Sequence, residues 1–203
     1  MGDVKYHHSF EEYGIEGRVS VAAIKNKLNY ISLPEDMTGK TVLDIGAWDG
    51  YYSFECEKRG AKVTALEKEK RFGTLVDLKQ QFDSEIEILY MDAYDIPSLN
   101  RQWDIVLCMG VIYHVQDPFK LINIVHDCTK EKAFIESALR NSGDHPLMYF
   151  YRPDNTECPT SWWIPNPAAV VGMMESAGFK TTHALDRDDL EKTRGIFWGE
   201  KNV

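Results

Sequence analysis

Four acids in this chain stand where chemistry is usually done. Asp44 follows the apolar run Thr41-Val-Leu43, Glu67 closes Lys62-Val-Thr-Ala-Leu66, and Asp92 comes just after Ile86-Glu-Ile-Leu-Tyr90. Asp49 lies in a turn bracketed by Gly46 and Gly50. A carboxylate at the carboxyl end of a parallel strand faces the crevice where open α/β sheets bind their ligands. A strand, a glycine turn and a helix start over Tyr51 to Arg59 make one half of a nucleotide-binding unit, with Phe54 inward and Glu55, Glu57, Lys58 and Arg59 outward. A phosphate loop aims a helix N-terminus at an anion. Here Asp44 and Asp49 flank the turn, repel a pyrophosphate and suit a ligand with cationic groups. S-adenosylmethionine, with its α-ammonium and sulfonium, is the expected ligand. A nicotinamide-dependent oxidoreductase needs a Gly-x-Gly-x-x-Gly turn without the acid, and a binding module has no need of acids at three strand ends. Glu67 lies 23 residues after Asp44, close to the ~20 expected of a ribose-binding carboxylate. Asp92, followed by Ala93, is placed to accept from the exocyclic amine of adenine.

A second group follows the run Trp103 to Met109. Tyr113 and His114 fall in the loop after that strand, and a histidine there has the pKa range of a general base for a hydroxyl acceptor. Residues Leu139 to Pro165 carry Tyr149, Phe150, Tyr151, Trp162 and Trp163 among prolines, with little helical periodicity. Such a segment in a compact domain is usually a lid or binding insertion, and Trp162-Trp163 are candidates for a substrate wall. Trp48, inside the glycine turn, either sets an aromatic face near a sulfonium or packs against the following helix. The adjacent pair His7-His8 has no partners at metal-ligand spacing, so no metal is expected.

These residues need a sheet to position them. The spacing predicts parallel strands at Thr41–Leu43, Lys62–Glu67, Ile86–Tyr90, Trp103–Met109 and Ala133–Glu136, a sixth starting at Phe179–Thr182, and a seventh at Gly195–Trp198. A hairpin-like connection at Asp186 to Thr193 pairs the last two antiparallel. Helices are predicted over Val19–Leu28, Phe72–Phe82, from Pro118 behind an Asp117 cap (Phe119, Leu121, Ile122 and Val125 inward), and from Pro167 to Gly178 behind an Asn166 cap. The fold class is α/β: a Rossmann-like, doubly wound, seven-stranded, mostly parallel sheet with its last strand antiparallel. Residues 1–39 form an N-terminal arm and helix, a lid or cap. Residues 40–203 form the ligand-binding domain, with the aromatic insertion after strand 5.

At 203 residues, one such domain has a sizeable core. Lys plus Arg is 23 against 32 Asp plus Glu, a net charge of −9. That balance weighs against a large polyanionic partner and toward a small molecule. Cys56, Cys108, Cys128 and Cys158 form no Cys-x-x-Cys pair and read as reduced thiols of a cytoplasmic protein. Met1 to Phe10 has no apolar core of a secretory signal, and no apolar run approaches the ~20 residues that span a bilayer. Oligomeric state is not legible in these features.

With those residues placed, the chain resembles the class I S-adenosylmethionine-dependent methyltransferases over about residues 40 to 200. Val42-Leu-Asp-Ile-Gly46 looks like their first motif, Glu67 like their ribose acid and Asp92-Ala93 like their adenine motif. The resemblance implies cofactor contacts from Asp44, Gly46, Ala47, Trp48, Gly50, Glu67, Asp92, Ala93 and Met109. Many members have glycine where Trp48 stands. A narrower likeness, carried by Met109-Gly-Val-Ile-Tyr-His114, Trp163-Ile-Pro165, Gly178-Phe179 and Arg194, is to the tRNA wobble-uridine carboxymethyltransferases and their small relatives. It implies that Tyr113 and Arg194 hold the carboxylate of carboxy-S-adenosylmethionine. It also implies an upstream lysine, which falls at Ala22 or Lys25. The expectation is methyl transfer from S-adenosylmethionine to a small O- or N-nucleophile; the alternative is carboxymethyl transfer to tRNA.

Overall fold

The computed structural model describes residues 6–20, 22–23, 31, 33–69, 74–140, 143–151, 160–185 (backbone only for 182–185) and 194–201. Two compact units divide the chain, Met1–Asp92 and Ala93–Val203.

In the first unit, strands β1 (Tyr6–His8) and β2 (Gly17–Val19) pair in parallel. Gly17 permits this: a Cβ there would lie 2.2 Å from the His8 carbonyl carbon. The helix expected from Val19 therefore starts later. Val19 is the end of a strand, Ala22 and Ala23 are helical, and most of that segment, Lys25 included, lies outside the described residues. Strand β3 (Thr41–Ile45), helix α1 (Tyr51–Lys58), strand β4 (Lys62–Glu67), helix α2 (Thr74–Gln81) and strand β5 (Glu87–Tyr90) follow. β3, β4 and β5 are parallel, with Asp44 opposite Ala65 and Glu67 opposite Tyr90. Tyr51, Tyr52, Ser53 and Cys56 make the buried face of α1. Phe54, expected inward, is half-buried instead, beneath Phe10 and Phe82 at ring distances of 6.0 and 4.9 Å.

The second unit holds β6 (Trp103–Met109), helix α3 (Pro118–Cys128), β7 (Thr129–Ala138), β8 (Met148–Phe150), β9 (Trp163–Pro165), helix α4 (Pro167–Ala177), β10 (Lys180–Leu185) and β11 (Arg194–Glu200). Asp117 caps α3 by accepting from the Lys120 N–H at 2.9 Å, and Asn166 caps α4 through the Ala169 N–H at 2.9 Å. Each helix has proline at its first position, as the caps predict. Leu121, Ile124, Val125 and Cys128 repeat at helical spacing and are buried. Phe119, two residues before Leu121 and so about 200° round the axis, is 43% exposed, not inward as expected. The aromatic segment contains the antiparallel pair β8–β9; its residues 152–159, including Cys158, lie outside the described residues. β6 and β7 are parallel, whereas β11 is antiparallel to both β7 and β10. The hairpin connection expected at 186–193 is also outside the described residues.

The large sheet has the strand order β10-β11-β7-β6-β3-β4-β5. It is the mostly parallel, Rossmann-like sheet that the strand spacing predicts. Trp103, Phe134 and Phe197 are its largest fully buried side chains. Among the described residues, no helix is long and apolar enough to cross a membrane.

Candidate active site

After β3 the chain turns through three left-handed residues in five: Gly46 (φ 72°), Trp48 (φ 56°) and Gly50 (φ 83°). Glycine adopts such angles freely, but an L side chain resists them by about 1–2 kcal/mol. Here, bonds from neighbouring elements support the conformation. Gly46 and Ala47 both donate to the Leu66 carbonyl, at 2.8 and 3.1 Å. The Trp48 N–H donates to Glu67 Oε2 at 2.9 Å. The Trp48 indole lies 5.1 Å from the His7 ring and is 44% exposed, so it is not packed away behind α1. A Cβ on Gly50 would stand 2.5 Å from Leu75 Cδ1 and 2.8 Å from Phe54 Cε2.

The acids around this turn differ sharply. Asp44 is buried and accepts from Ser53 Oγ at 2.7 Å. Burial pushes its carboxyl up to about 6, with the Ser53 hydrogen bond and the His8 charge opposing and the Glu67 charge adding. Glu67 is half-buried, and each of its oxygens takes one backbone N–H, from Trp48 and from Lys68 (2.9 Å). Both oxygens keep a lone pair for a ligand hydroxyl. Asp92 is partly exposed and pairs with Lys68 Nζ at 3.0 Å. Ala93, beside it, opens the short 3-10 helix Ala93–Leu99 and is half-buried. Asp49 departs from the expectation. It is fully buried; Oδ2 accepts from the His7 and His8 N–H groups at 2.9 and 2.7 Å, and Oδ1 meets His8 Nδ1. The N-terminal arm satisfies this carboxylate, so it is not a charge presented to a ligand. Of the two acids that flank the turn, only Asp44 is left to oppose a pyrophosphate.

In the second unit, β6 ends at Met109, opposite Glu136 of β7. Gly110 follows in the left-handed region (φ 80°), and Ile112–His114 form one 3-10 turn. Arg194, the first residue of β11, meets both Tyr113 and Glu136. Its Nη2 donates to Tyr113 Oη at 2.9 Å and to Glu136 Oε2 at 2.7 Å, and its Nε bonds Glu136 Oε1. Burial works against the guanidinium charge, but Glu136 outweighs it and holds the pKa above the ordinary arginine range. A Cβ at Gly110 would stand only 3.4–3.5 Å from all three partners. Glu136 is the residue that sequence reasoning missed. The available signal was a lone acid in the apolar run Ala133-Phe-Ile-Glu136, since a buried acid needs a cation.

His114 is exposed at one edge, and its Nδ1 lies 2.8 Å from the Thr160 carbonyl. A carbonyl only accepts, so Nδ1 carries the proton and the neutral ring keeps its lone pair on Nε2. Partial burial, and to a smaller extent Arg194, lower the imidazole pKa; the Thr160 bond opposes them. Both tryptophans bind the same loop. The Trp162 N–H donates to the Tyr113 carbonyl at 2.9 Å, and Trp163 Nε1 donates to the Gln116 carbonyl at 2.8 Å. Tyr113, His114, Trp162, Trp163 and Arg194 thus form one cluster.

A left-handed turn bonded to the acid that ends the next strand, on a sheet of this strand order, is met by an independent match. A family model described as a methyltransferase domain covers residues 17–184. The chain belongs to the methyltransferase domain family. Among curated relatives, this methyltransferase-domain chain is 24% identical over 169 residues to a tRNA U34 carboxymethyltransferase of Campylobacter jejuni, across 79% of this chain and 58% of the relative. A second tRNA U34 carboxymethyltransferase, from Nautilia profundicola, is 27% identical over 188 residues, across 86% and 59%. The chain therefore spans a little over half the length of these two relatives. Among solved structures, a SAM-dependent methyltransferase from Archaeoglobus fulgidus superposes with a TM-score of 0.68 at 16% identity, covering 91% of this chain and 96% of that one. Its likeness is one of fold.

Proposed function

We propose that this chain is an S-adenosylmethionine-dependent methyltransferase that moves a methyl group from the sulfonium to an oxygen or nitrogen of a small molecule by in-line displacement. The observation that carries this reading is Glu67, whose oxygens each bind one N–H at the turn and keep acceptor capacity for the ribose hydroxyls. In this reading Gly46, Ala47, Trp48 and Gly50 line the cofactor with backbone, Asp44 supports the turn through Ser53, Asp92 with Ala93 borders the adenine, and Met109 is the remaining expected cofactor residue. The cofactor supplies the electrophilic methyl carbon. The protein contributes alignment, for which intramolecular models allow ~7–11 kcal/mol. His114 accepts the acceptor's proton at Nε2, with Tyr113 beside it; Trp162 and Trp163 form an aromatic wall for the acceptor. Calorimetry with S-adenosylmethionine tests the cofactor site: Glu67→Ala and Asp44→Ala both weaken binding, and undiminished affinity in both variants rejects the assignment.

The pairing of Tyr113 with Arg194 favours a second reading, carboxymethyl transfer from carboxy-S-adenosylmethionine to tRNA; the curated relatives are named tRNA U34 carboxymethyltransferases. Two observations weigh against it. Glu136 already balances the Arg194 charge, so an added carboxylate meets a cluster without net positive charge. The whole chain carries −9. Mass spectrometry of the cofactor that co-purifies separates the readings, because the two cofactors differ by the mass of the added carboxylate.

A further inference from the structure

The arm that precedes the sheet reaches into the nucleotide turn. Asp49 stands between Trp48 and Gly50, both left-handed, and is wholly buried. Among the described residues, its hydrogen bonds come from His7 and His8. The position of His8 is fixed independently of the turn. β1 pairs with β2, Ser9 Oγ donates to the Val19 carbonyl at 2.9 Å and accepts from the Gly17 N–H at 2.9 Å, and Gly17 lies against the His8 backbone with no room for a Cβ. Phe10 sits among Tyr51, Phe54 and Phe82, Tyr13 stacks on Phe82 at 3.6 Å, and Glu12 pairs with Lys58. The arm is thus anchored on α1 and beyond α2, and it holds one side of the turn through a single carboxylate. Glu67 holds the other side through the Trp48 N–H.

We infer that His8 is a positioning residue: through Asp49 it keeps the Trp48–Gly50 turn in its cofactor-binding shape, and it couples docking of the arm to occupancy of the turn. This rests on the proposal that the turn binds an S-adenosyl ligand. Removing the imidazole leaves Asp49 buried with one charge-assisted bond fewer, and the left-handed Trp48 with weaker support. Coupling is reciprocal, so a ligand that needs the shaped turn must also hold the arm down.

The test uses the full chain and S-adenosylhomocysteine as the probe. By calorimetry, His8→Ala weakens binding about tenfold or more, the range for removing a group that orients a binding residue. His8→Asn, whose amide N–H can reach Asp49 from near the place of Nδ1, restores affinity to within about threefold of wild type. In the wild-type chain, backbone hydrogen exchange over residues 6–19 slows when the ligand is added. Binding by His8→Ala equal to wild type, equal loss in the Ala and Asn variants, or exchange in the arm indifferent to ligand each overturns the inference. If His8→Ala fails to fold, the exchange measurement on wild type decides alone. Wild type that takes up no S-adenosylhomocysteine rejects the cofactor reading and this inference with it. Wild type that binds while His8→Ala matches it rejects the inference only.

Discussion

His114 shows how one loop hydrogen bond gives a side chain a direction. With Nδ1–H committed to Thr160, the basic lone pair is on Nε2, and the lowered pKa keeps the ring neutral at pH 7. His114→Ala should lower kcat by ~10²-fold or more on a hydroxyl acceptor, and the acid limb of the wild-type kcat profile should fall below the ordinary histidine value of 6.5. Unchanged turnover in the variant removes the base role. Asp44 gives a prediction about stability. Its carboxyl titrates near 6 when folded against 3.8 as a free side chain, so the folded chain binds that proton more tightly than the unfolded chain. Stability from this group is highest below about pH 4 and declines as pH rises to about 6, a loss on the order of 3 kcal/mol. Asp44→Asn keeps a partner for Ser53 and removes the titration. Urea unfolding should find the variant's advantage over wild type larger at pH 7 than at pH 4; a constant difference shows that the charge is not buried. The place of Glu67 at the end of β4 was legible from the apolar run it closes. The fate of Asp49 was not, because its partners lie 41 and 42 positions away and no local pattern encodes them.

At the level of elements, the turn after β3 is the most demanding piece of backbone. Gly50→Ala faces both a left-handed φ and a Cβ inside the contact distance of Leu75 and Phe54, and should cost about 3 kcal/mol in urea unfolding. Gly14 shares the left-handed φ (63°) but has nothing within 4 Å of an added Cβ. Gly14→Ala should therefore cost only the backbone part, about 1 kcal/mol. Equal losses would mean that Gly50 is required for conformation alone. The strands were largely readable because β3, β4, β6 and β7 are apolar runs closed by polar residues, and α3 and α4 because Asp117-Pro118 and Asn166-Pro167 announce them. β2 was not readable. Its three residues gain their structure from β1, and a three-residue strand leaves no period to detect. The short ribbon β8–β9 is hidden for the same reason, among aromatics whose spacing fits no regular element.

For the whole molecule, the net charge of −9 predicts weak attraction to nucleic acid. Filter binding to tRNA between 50 and 200 mM salt should give low affinity with a shallow salt slope. A protein making 6–10 phosphate contacts would instead lose ~10³–10⁵ in affinity across that range, and such a fall would support the tRNA reading. The mostly parallel α/β sheet was legible from the alternation of strands and helices; its strand order, with β11 inserted between β10 and β7, was not, because it rests on pairing that only a complete sheet displays. That insertion also orders events during synthesis. Glu136 leaves the ribosome 58 residues ahead of Arg194, and until β11 arrives β7 has one open edge. A carboxylate enclosed without its cation costs several kcal/mol, so the growing chain gains little by closing over β7 early. The same charge discourages a neighbouring nascent chain from pairing with the open edge.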